Sequence, residues 1–253
     1  MENKVAVVTG GTGALGRVIV KKLADAGAKV YVPVVSIAEF NKVFDSSQHD
    51  EVLKPGSEHS ESSGGFRFNK IFGFECNASD ESSVVAFIRD TAAVENGKID
   101  FLINTVGGID AAKNVSDLTS DSLNKMLGIN FMSAFYFSRE AVKVMENNNF
   151  GRIVSIGAIA GLETSPGRFA YSVSKAAVIN LMNTISEEMK EKNIRCNTIV
   201  PGIMDTPANR EWGNHEDIKK WVKPEDIAGI IFDMLSEKYS PLRSSVLKVY
   251  GNY

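Results

Sequence analysis

Apolar residues along this chain fall into short, β-branched runs, separated by longer stretches in which they recur every three or four positions. The runs are Val5–Thr9, Lys29–Val35, Lys70–Glu75, Ile99–Asn104, Arg152–Ile156, Ile194–Val200 and Ser245–Tyr250. Each is too short for a stable helix and apolar on consecutive positions, as expected of a strand buried on both faces. The stretches Leu15–Ala26, Asp80–Glu95, Asp121–Asn147 and Phe169–Lys192 carry the helical period. No two runs are joined by a hairpin-type turn. Strand and helix therefore alternate, which predicts a parallel sheet of about seven strands covered by helices on both faces. The expected architecture is a doubly wound, three-layer α/β domain occupying residues 1–253, with no internal repeat.

One stretch breaks the pattern. Ser46–Gly65 is polar and rich in Ser and Gly. Its composition buries no core, so it reads as a mobile surface loop, either a tolerated insertion or a flap. At 253 residues and 43% apolar content the chain is long enough for a sizeable core. A net charge of -3 with both signs mixed argues against a nucleic-acid or membrane partner. No apolar run approaches the roughly 20 residues of a membrane span. The first strand begins at about Lys4, which leaves no room for a signal peptide. Cys76 and Cys196 are far apart in apolar surroundings, so they read as reduced, buried thiols of a cytoplasmic protein. The three His sit in polar, loop-like segments, and no metal site is expected.

The first strand runs straight into Thr9-Gly10-Gly11-Thr12-Gly13-Ala14-Leu15-Gly16, and a helix follows. Glycines there let the backbone turn tightly and approach a pyrophosphate. The helix N-terminus presents free N–H groups and partial positive charge to it. A Gly-rich loop in this context is a dinucleotide-binding signal of the Rossmann type.

With these features in place, the chain resembles the short-chain dehydrogenase/reductase family over nearly its whole length. The family's Thr-Gly-x3-(Gly/Ala)-x-Gly is matched at Thr9, Gly10, Ala14 and Gly16. Asn104-Thr-Val-Gly107 stands for Asn-Asn-Ala-Gly, Tyr171 and Lys175 for Tyr-x3-Lys, and Pro201-Gly202 is followed by Thr206. The resemblance implies a small-molecule substrate and an NAD(P)H cofactor. It also implies a homodimer or homotetramer built through the helices at 121–147 and 169–192. By the same resemblance the cofactor is held by Gly10, Thr12, Gly13, Ala14, Leu15 and Gly16, then by Ser36 after the second strand and Asn77 and Ala78 after the third. Asn104, Val106 and Gly107 follow the fourth strand, and Pro201, Gly202, Ile203 and Thr206 the sixth, with Tyr171 and Lys175 completing the set. The family's ribose-binding charge is missing. The second strand ends in Val34-Val35-Ser36, and Asn77 replaces an Asp that often contacts adenine, so discrimination between NADH and NADPH is expected to be weak.

Tyr171 and Lys175 lie four apart in a helical segment, so both project from one face. A phenol with a pKa of about 10 is a poor acid-base group at neutral pH. A neighbouring ammonium favours the phenolate and is expected to lower that value. Asn130 matches the family's Asn that supports a proton-relay water; the alternative is a polar residue that bends its helix.

The informative departure is Ala158. Thirteen residues before the tyrosine the family has a Ser that polarises a substrate carbonyl, and here the segment reads Ser155-Ile-Gly-Ala158. Ser155 is expected to point elsewhere, and losing such a donor costs roughly 3 kcal/mol of transition-state stabilisation. Three readings remain open: a weakly active, regulatory member; a hydroxyl from Thr164 or Ser165; or a substrate that needs none. Gly157-Ala158 through Tyr171, Val106-Gly107-Gly108, Asp205-Thr206-Pro207 with Asn209-Arg210, and Trp221 look like the dihydropteridine reductase branch. Its quinonoid pterin accepts hydride into a conjugated ring, and no carbonyl becomes an alcohol. That branch usually carries a Trp where this chain has Ile109. The other enzyme reading is a reductase of another carbonyl or enone, such as a 3-oxoacyl or small ketone substrate. Substrate contacts are expected from Ala158, Gly108 and Trp212. The variable segment 208–223 holds Trp212 and Trp221, as packing anchors or as a lid.

Overall fold

The computed structural model describes residues 1–44, 65–68 and 70–252. Ser46–Gly65 lies outside these residues except for Gly65, which opens a strand. The strands are β1 (Val5–Thr9), β2 (Lys29–Val34), β3 (Gly65–Phe68), β4 (Ile71–Glu75), β5 (Phe101–Asn104), β6 (Gly151–Ile156), β7 (Ile194–Pro201) and β8 (Val246–Val249). They form one sheet in the order β3-β4-β2-β1-β5-β6-β7-β8. Seven strands are parallel, as the alternating pattern implies. The eighth, β3, corrects the expectation of no hairpins: it lies antiparallel on β4 at the sheet edge, with Gly65 opposite Phe74 and Phe68 opposite Ile71.

The strands alternate their side chains between two apolar layers. Ala6 and Val8 face α1 (Gly16–Asp25), whose Ile19, Leu23 and Ala24 pack with Ile227, Ile231 and Met234 of α9 (Pro224–Met234). Val5 and Val7 face the opposite layer, with Phe87 and Ile88 of α3 (Glu81–Val94), Phe137 and Met145 of α5 (Ser133–Asn148), and Met182 of α6 (Phe169–Glu188). Removing such side chains from water stabilises the fold by about 1.5–3 kcal/mol each. Helix starts follow local chemistry: Asp80 caps α3 by accepting the Ser83 N–H at 2.7 Å.

The helix expected over 121–147 is not continuous. α4 (Ser120–Met126) passes into a π-helical segment, Leu127–Met132, before α5. Such a bulge absorbs an extra residue and re-aims side chains, here turning Asn130 into the interior. The helix expected to reach Lys192 ends at Glu188, because residues 189–193 turn the chain back into β7. Three short elements and one longer one escape the periodicity: α2 (Ile37–Val43), α7 (Pro207–Arg210), α8 (His215–Ile218) and α9. No helix among the described residues is long and apolar enough to cross a membrane. Both cysteines are buried free thiols.

This topology fixes the site. From β1 the chain winds outward to β2 and β4, then crosses back to β5 on the other side of β1. Loops leaving β1 and β5 diverge there and open a crevice at the carboxyl edge, the usual ligand position in such sheets. Thr9, Asn104 and Ser155 stand in register across β1, β5 and β6 at its floor.

Candidate active site

The Gly-rich loop and the β5 loop meet in the crevice. The Thr9 hydroxyl oxygen accepts the N–H groups of Thr105 (3.2 Å) and Val106 (3.4 Å), and the Thr105 hydroxyl donates to the Thr9 carbonyl at 2.6 Å. Gly10 has φ +64° and sits so close that a Cβ would lie 2.9 Å from Thr105 Oγ1. A Cβ on Gly16 would overlap the Gly10 carbonyl oxygen. Only glycine fits both places. The N-terminus of α1 carries no side-chain cap and no acidic residue in its first turn. Ala14, Leu15 and Gly16 thus form a helix start whose dipole and N–H groups suit a diphosphate, so the chemistry of the loop fits a dinucleotide.

At the adenosine end, Val34 is buried and Val35 points its apolar side chain into solvent. Ser36 precedes α2, and its hydroxyl makes no capping hydrogen bond. Asn77 spends its side-chain oxygen on the Ser79 N–H at 3.0 Å, and Ala78 follows it half-buried. The sequence reading missed Glu39, which lies on the first turn of α2 and accepts the Thr12 hydroxyl at 2.6 Å. The missing signal was α2 itself, which the periodicity does not single out.

On the other side of β1, Asn104 donates to the hydroxyls of Ser138 and Ser155 at 3.0 Å each. Ser155 is fully buried and donates onward to Met182 Sδ, so its hydroxyl faces the core. Asn130 is held by the π segment. Its Oδ1 accepts the Gly108 N–H at 2.9 Å, while Nδ2 donates to the Gly108 carbonyl and to Ser174 Oγ at 3.0 Å. These two hydrogen bonds to Gly108, with the third to Ser174 of α6, tie the Gly107–Gly108 turn to α6. A Cβ on Gly107 would lie 2.8 Å from Asn130 Oδ1 and 3.0 Å from Lys175 Nζ, so the turn, Asn130 and the lysine are in mutual contact.

Lys175 is buried, and its ammonium donates to the Ile156 carbonyl at 2.9 Å. Burial brings its pKa down to about 8. Tyr171 is half-buried, and burial raises its pKa above the usual value near 10. The charge that works against this rise is Arg168, not Lys175, which corrects the expectation drawn from the four-residue spacing. Arg168 donates to the Asp110 carbonyl at 3.1 Å, and the Gly167 carbonyl accepts the Lys113 N–H at 3.0 Å. These bonds tie the segment before Tyr171 to the segment after Gly108.

Ala158 is buried in extended backbone at the end of β6, just before a tight turn at Ile159–Gly161. Thr164 and Ser165 stand exposed beyond that turn. Beyond Pro201, Gly202 donates to the Val249 carbonyl at 2.8 Å, and Ile203 is part-exposed. Thr206 caps α7 through the Asn209 N–H at 3.3 Å. Asp205 and Arg210 form a two-bond ion pair beside it. Trp212 is 63% exposed and leans on the buried Trp221, ring centroids 5.1 Å apart, so the first indole reaches the surface and the second anchors it. Among the described residues, no three His, Cys, Asp or Glu side chains converge on a metal position.

A family profile described as short chain dehydrogenase matches residues 4–217. A 7alpha-hydroxysteroid dehydrogenase of Clostridium sardiniense is 29% identical over 264 aligned positions, covering 100% of this chain and 94% of that protein. Human dehydrogenase/reductase SDR family member 4 is also 29% identical, covering 99% of this chain and 87% of its own. Among solved structures, a short-chain dehydrogenase/reductase of Serratia marcescens superposes with a TM-score of 0.82 at 26% identity, covering 99% and 98% of the two chains.

Proposed function

This chain belongs to the short-chain dehydrogenase/reductase family and is an NAD(P)-dependent oxidoreductase, and within that frame we propose that it reduces a planar, conjugated acceptor of the quinonoid dihydropterin kind. The observation that carries the proposal is Ala158: thirteen residues before Tyr171, at the end of β6, the chain offers a buried methyl group instead of a hydroxyl. A ketone on its way to an alcohol gathers charge on one oxygen and needs donors aimed at it. A conjugated ring spreads the incoming electron pair and tolerates an apolar wall.

The bound nicotinamide would supply the hydride. Gly10 and the Thr12–Gly16 loop, with the start of α1, would hold its diphosphate. Asn104, Val106, Gly107 and the segment Pro201–Thr206 would flank its nicotinamide half, and Lys175 would meet the ribose. Tyr171 would deliver the proton from its hydroxyl. Burial raises its pKa, so the resting phenol is protonated but a weaker acid than a free one, and Arg168 works against that rise. Arg168 would stabilise the phenolate left behind. Asn130 holds Gly108 and the neighbouring substrate wall in place, a positioning role distinct from the proton relay that family resemblance implies.

A second reading is supported by the exposed apolar residues Ile109, Leu162, Ile203 and Trp212 and by the hydroxysteroid dehydrogenase relative. It is an alcohol–ketone conversion on an apolar ring system, with Tyr171 alone polarising the oxygen. Assembly through α4, α5 and α6 and a cytoplasmic setting belong to the same proposal. The test is a turnover screen with NADH and NADPH against quinonoid dihydropterin, small ketones, a 3-oxoacyl thioester and an oxo-steroid. Turnover of dihydropterin at least tenfold above the ketones supports the first reading. Turnover of the steroid alone selects the second.

A further inference from the structure

The adenosine end of the crevice carries a carboxylate that the end of β2 does not supply. In doubly wound dinucleotide sites an acidic residue accepts the ribose hydroxyls and excludes a 2′-phosphate. Here Val34 is 4% exposed at the end of β2 and offers no acceptor. Glu39 reaches the Gly-rich loop from α2, where its Oε1 accepts the Thr12 hydroxyl at 2.6 Å. Its place is mechanically defined. The adjacent Phe40 is 2% exposed and seated on Gly73 of β4, where a Cβ would lie 2.6 Å from the ring. Phe40 also packs on Phe44, ring centroids 5.0 Å apart. Among the described residues Glu39 forms no salt bridge with a Lys or Arg.

We infer that Glu39 is the residue that selects the cofactor, and that it makes the chain specific for NADH. Resting on the dinucleotide reading of the Gly-rich loop, the inference assigns Glu39 two effects. Its carboxylate accepts hydroxyl donors at the ribose position, and its negative charge repels a phosphate placed there. The expected weak discrimination at this end is thereby replaced by a definite preference. Two like charges a few ångströms apart near the surface, one of them a dianion, change affinity by about tenfold or more.

The test is direct nucleotide binding, followed by the fluorescence of NADH and NADPH titrated against the wild-type chain and Glu39→Gln. The glutamine keeps the size and the Thr12 hydrogen bond and removes the charge. The wild type is expected to bind NADH at least tenfold more tightly than NADPH. Glu39→Gln is expected to bind NADPH about tenfold more tightly than the wild type does, with NADH weakened only a few-fold. Raising salt from 0.05 to 0.5 M should narrow the wild-type ratio and leave that of the variant nearly flat (roughly a threefold shorter screening length). Equal affinities in the wild type, or a ratio unmoved by Glu39→Gln, overturn the inference while leaving the site intact. Failure of both nucleotides to bind overturns the inference and the dinucleotide reading together.

Discussion

On the β2 side of the crevice, Val34 stands where a ribose-binding carboxylate is expected, and Glu39 brings a carboxylate to the Gly-rich loop from the next helix. On the β6 side, Ala158 stands where a hydroxyl is expected. There Ser155 turns its hydroxyl into the core, and Thr164 and Ser165 sit exposed beyond the turn. One departure is offset by a group from another element and the other is not. The difference follows from what each half asks of its residues. Binding a ribose asks for charge within a few ångströms, which several elements can supply. Polarising a reacting oxygen asks for a donor at hydrogen-bond distance from one point, which leaves far less freedom in where the group can come from. We propose that an uncompensated loss at such a point reflects a change in the chemistry.

The largest effect that would sharpen this contrast falls on the chemical half. Tyr171→Phe should lower turnover by about 10²–10⁴-fold, the usual worth of a positioned acid, while the NADH dissociation constant stays within about threefold. A loss below tenfold, measured by single-turnover absorbance of NADH, would remove Tyr171 from the proton step.

Next in size is Lys175. Its pKa is about 8 when folded against an ordinary 10.5, so between these values the unfolded chain binds more protons. Stability attributable to this group therefore rises with pH through that window, by about 3 kcal/mol in all. The buried thiols Cys76 and Cys196, pushed up to about 11 and about 12, work in the opposite sense. Urea unfolding of the wild type and of Lys175→Met at pH 7.5 and 10.5 cancels the thiols, which both chains share. The wild type should gain on the variant as pH rises. Parallel curves would mean that the ammonium is not held in an apolar setting.

The cofactor half is tested by Gly16→Ala, whose methyl group would overlap the Gly10 carbonyl oxygen. NADH affinity should fall by about a hundredfold, with a stability loss of about 2 kcal/mol. Gly229→Ala is the control. It lies within α9 with nothing within 4 Å of the added carbon, so it should leave binding unchanged and stabilise the chain by about 0.5–1 kcal/mol. Equal behaviour of the two variants would contradict a site built from backbone geometry.

What the sequence makes legible follows the same division. Seven strands and the Gly-rich loop are readable because consecutive apolar runs and glycines carry their own physical requirement. The π segment at Leu127–Met132 is not, since its apolar positions fit a straight helix equally well until Asn130 must reach Gly108. β3 borders a polar stretch and pairs at an edge, where no strong pattern is imposed. Glu39 and Arg168 act across space, Glu39 on Thr12 and Arg168 on Tyr171. Glu39 sits at no spacing that announces Thr12, whereas Arg168 stands three residues before Tyr171 at the start of α6, a neighbour spacing that the four-residue Tyr171–Lys175 pattern overshadowed. The spacing of Tyr171 and Lys175 points to a direct electrostatic pair, yet the structure hands Lys175 to the Ile156 carbonyl.

The claim that Ala158 marks a change of chemistry is tested most directly by returning the hydroxyl. Hydride-transfer rates should be measured by stopped flow for the wild type and Ala158→Ser, on quinonoid dihydropterin and on a small ketone. The account predicts that the serine leaves the dihydropterin rate unchanged or lowers it, because a polar group now faces a flat ring, and that ketone reduction stays slow in both chains. A gain of tenfold or more on the ketone, with no dihydropterin turnover in either chain, would contradict it and leave a carbonyl reductase that has lost its serine.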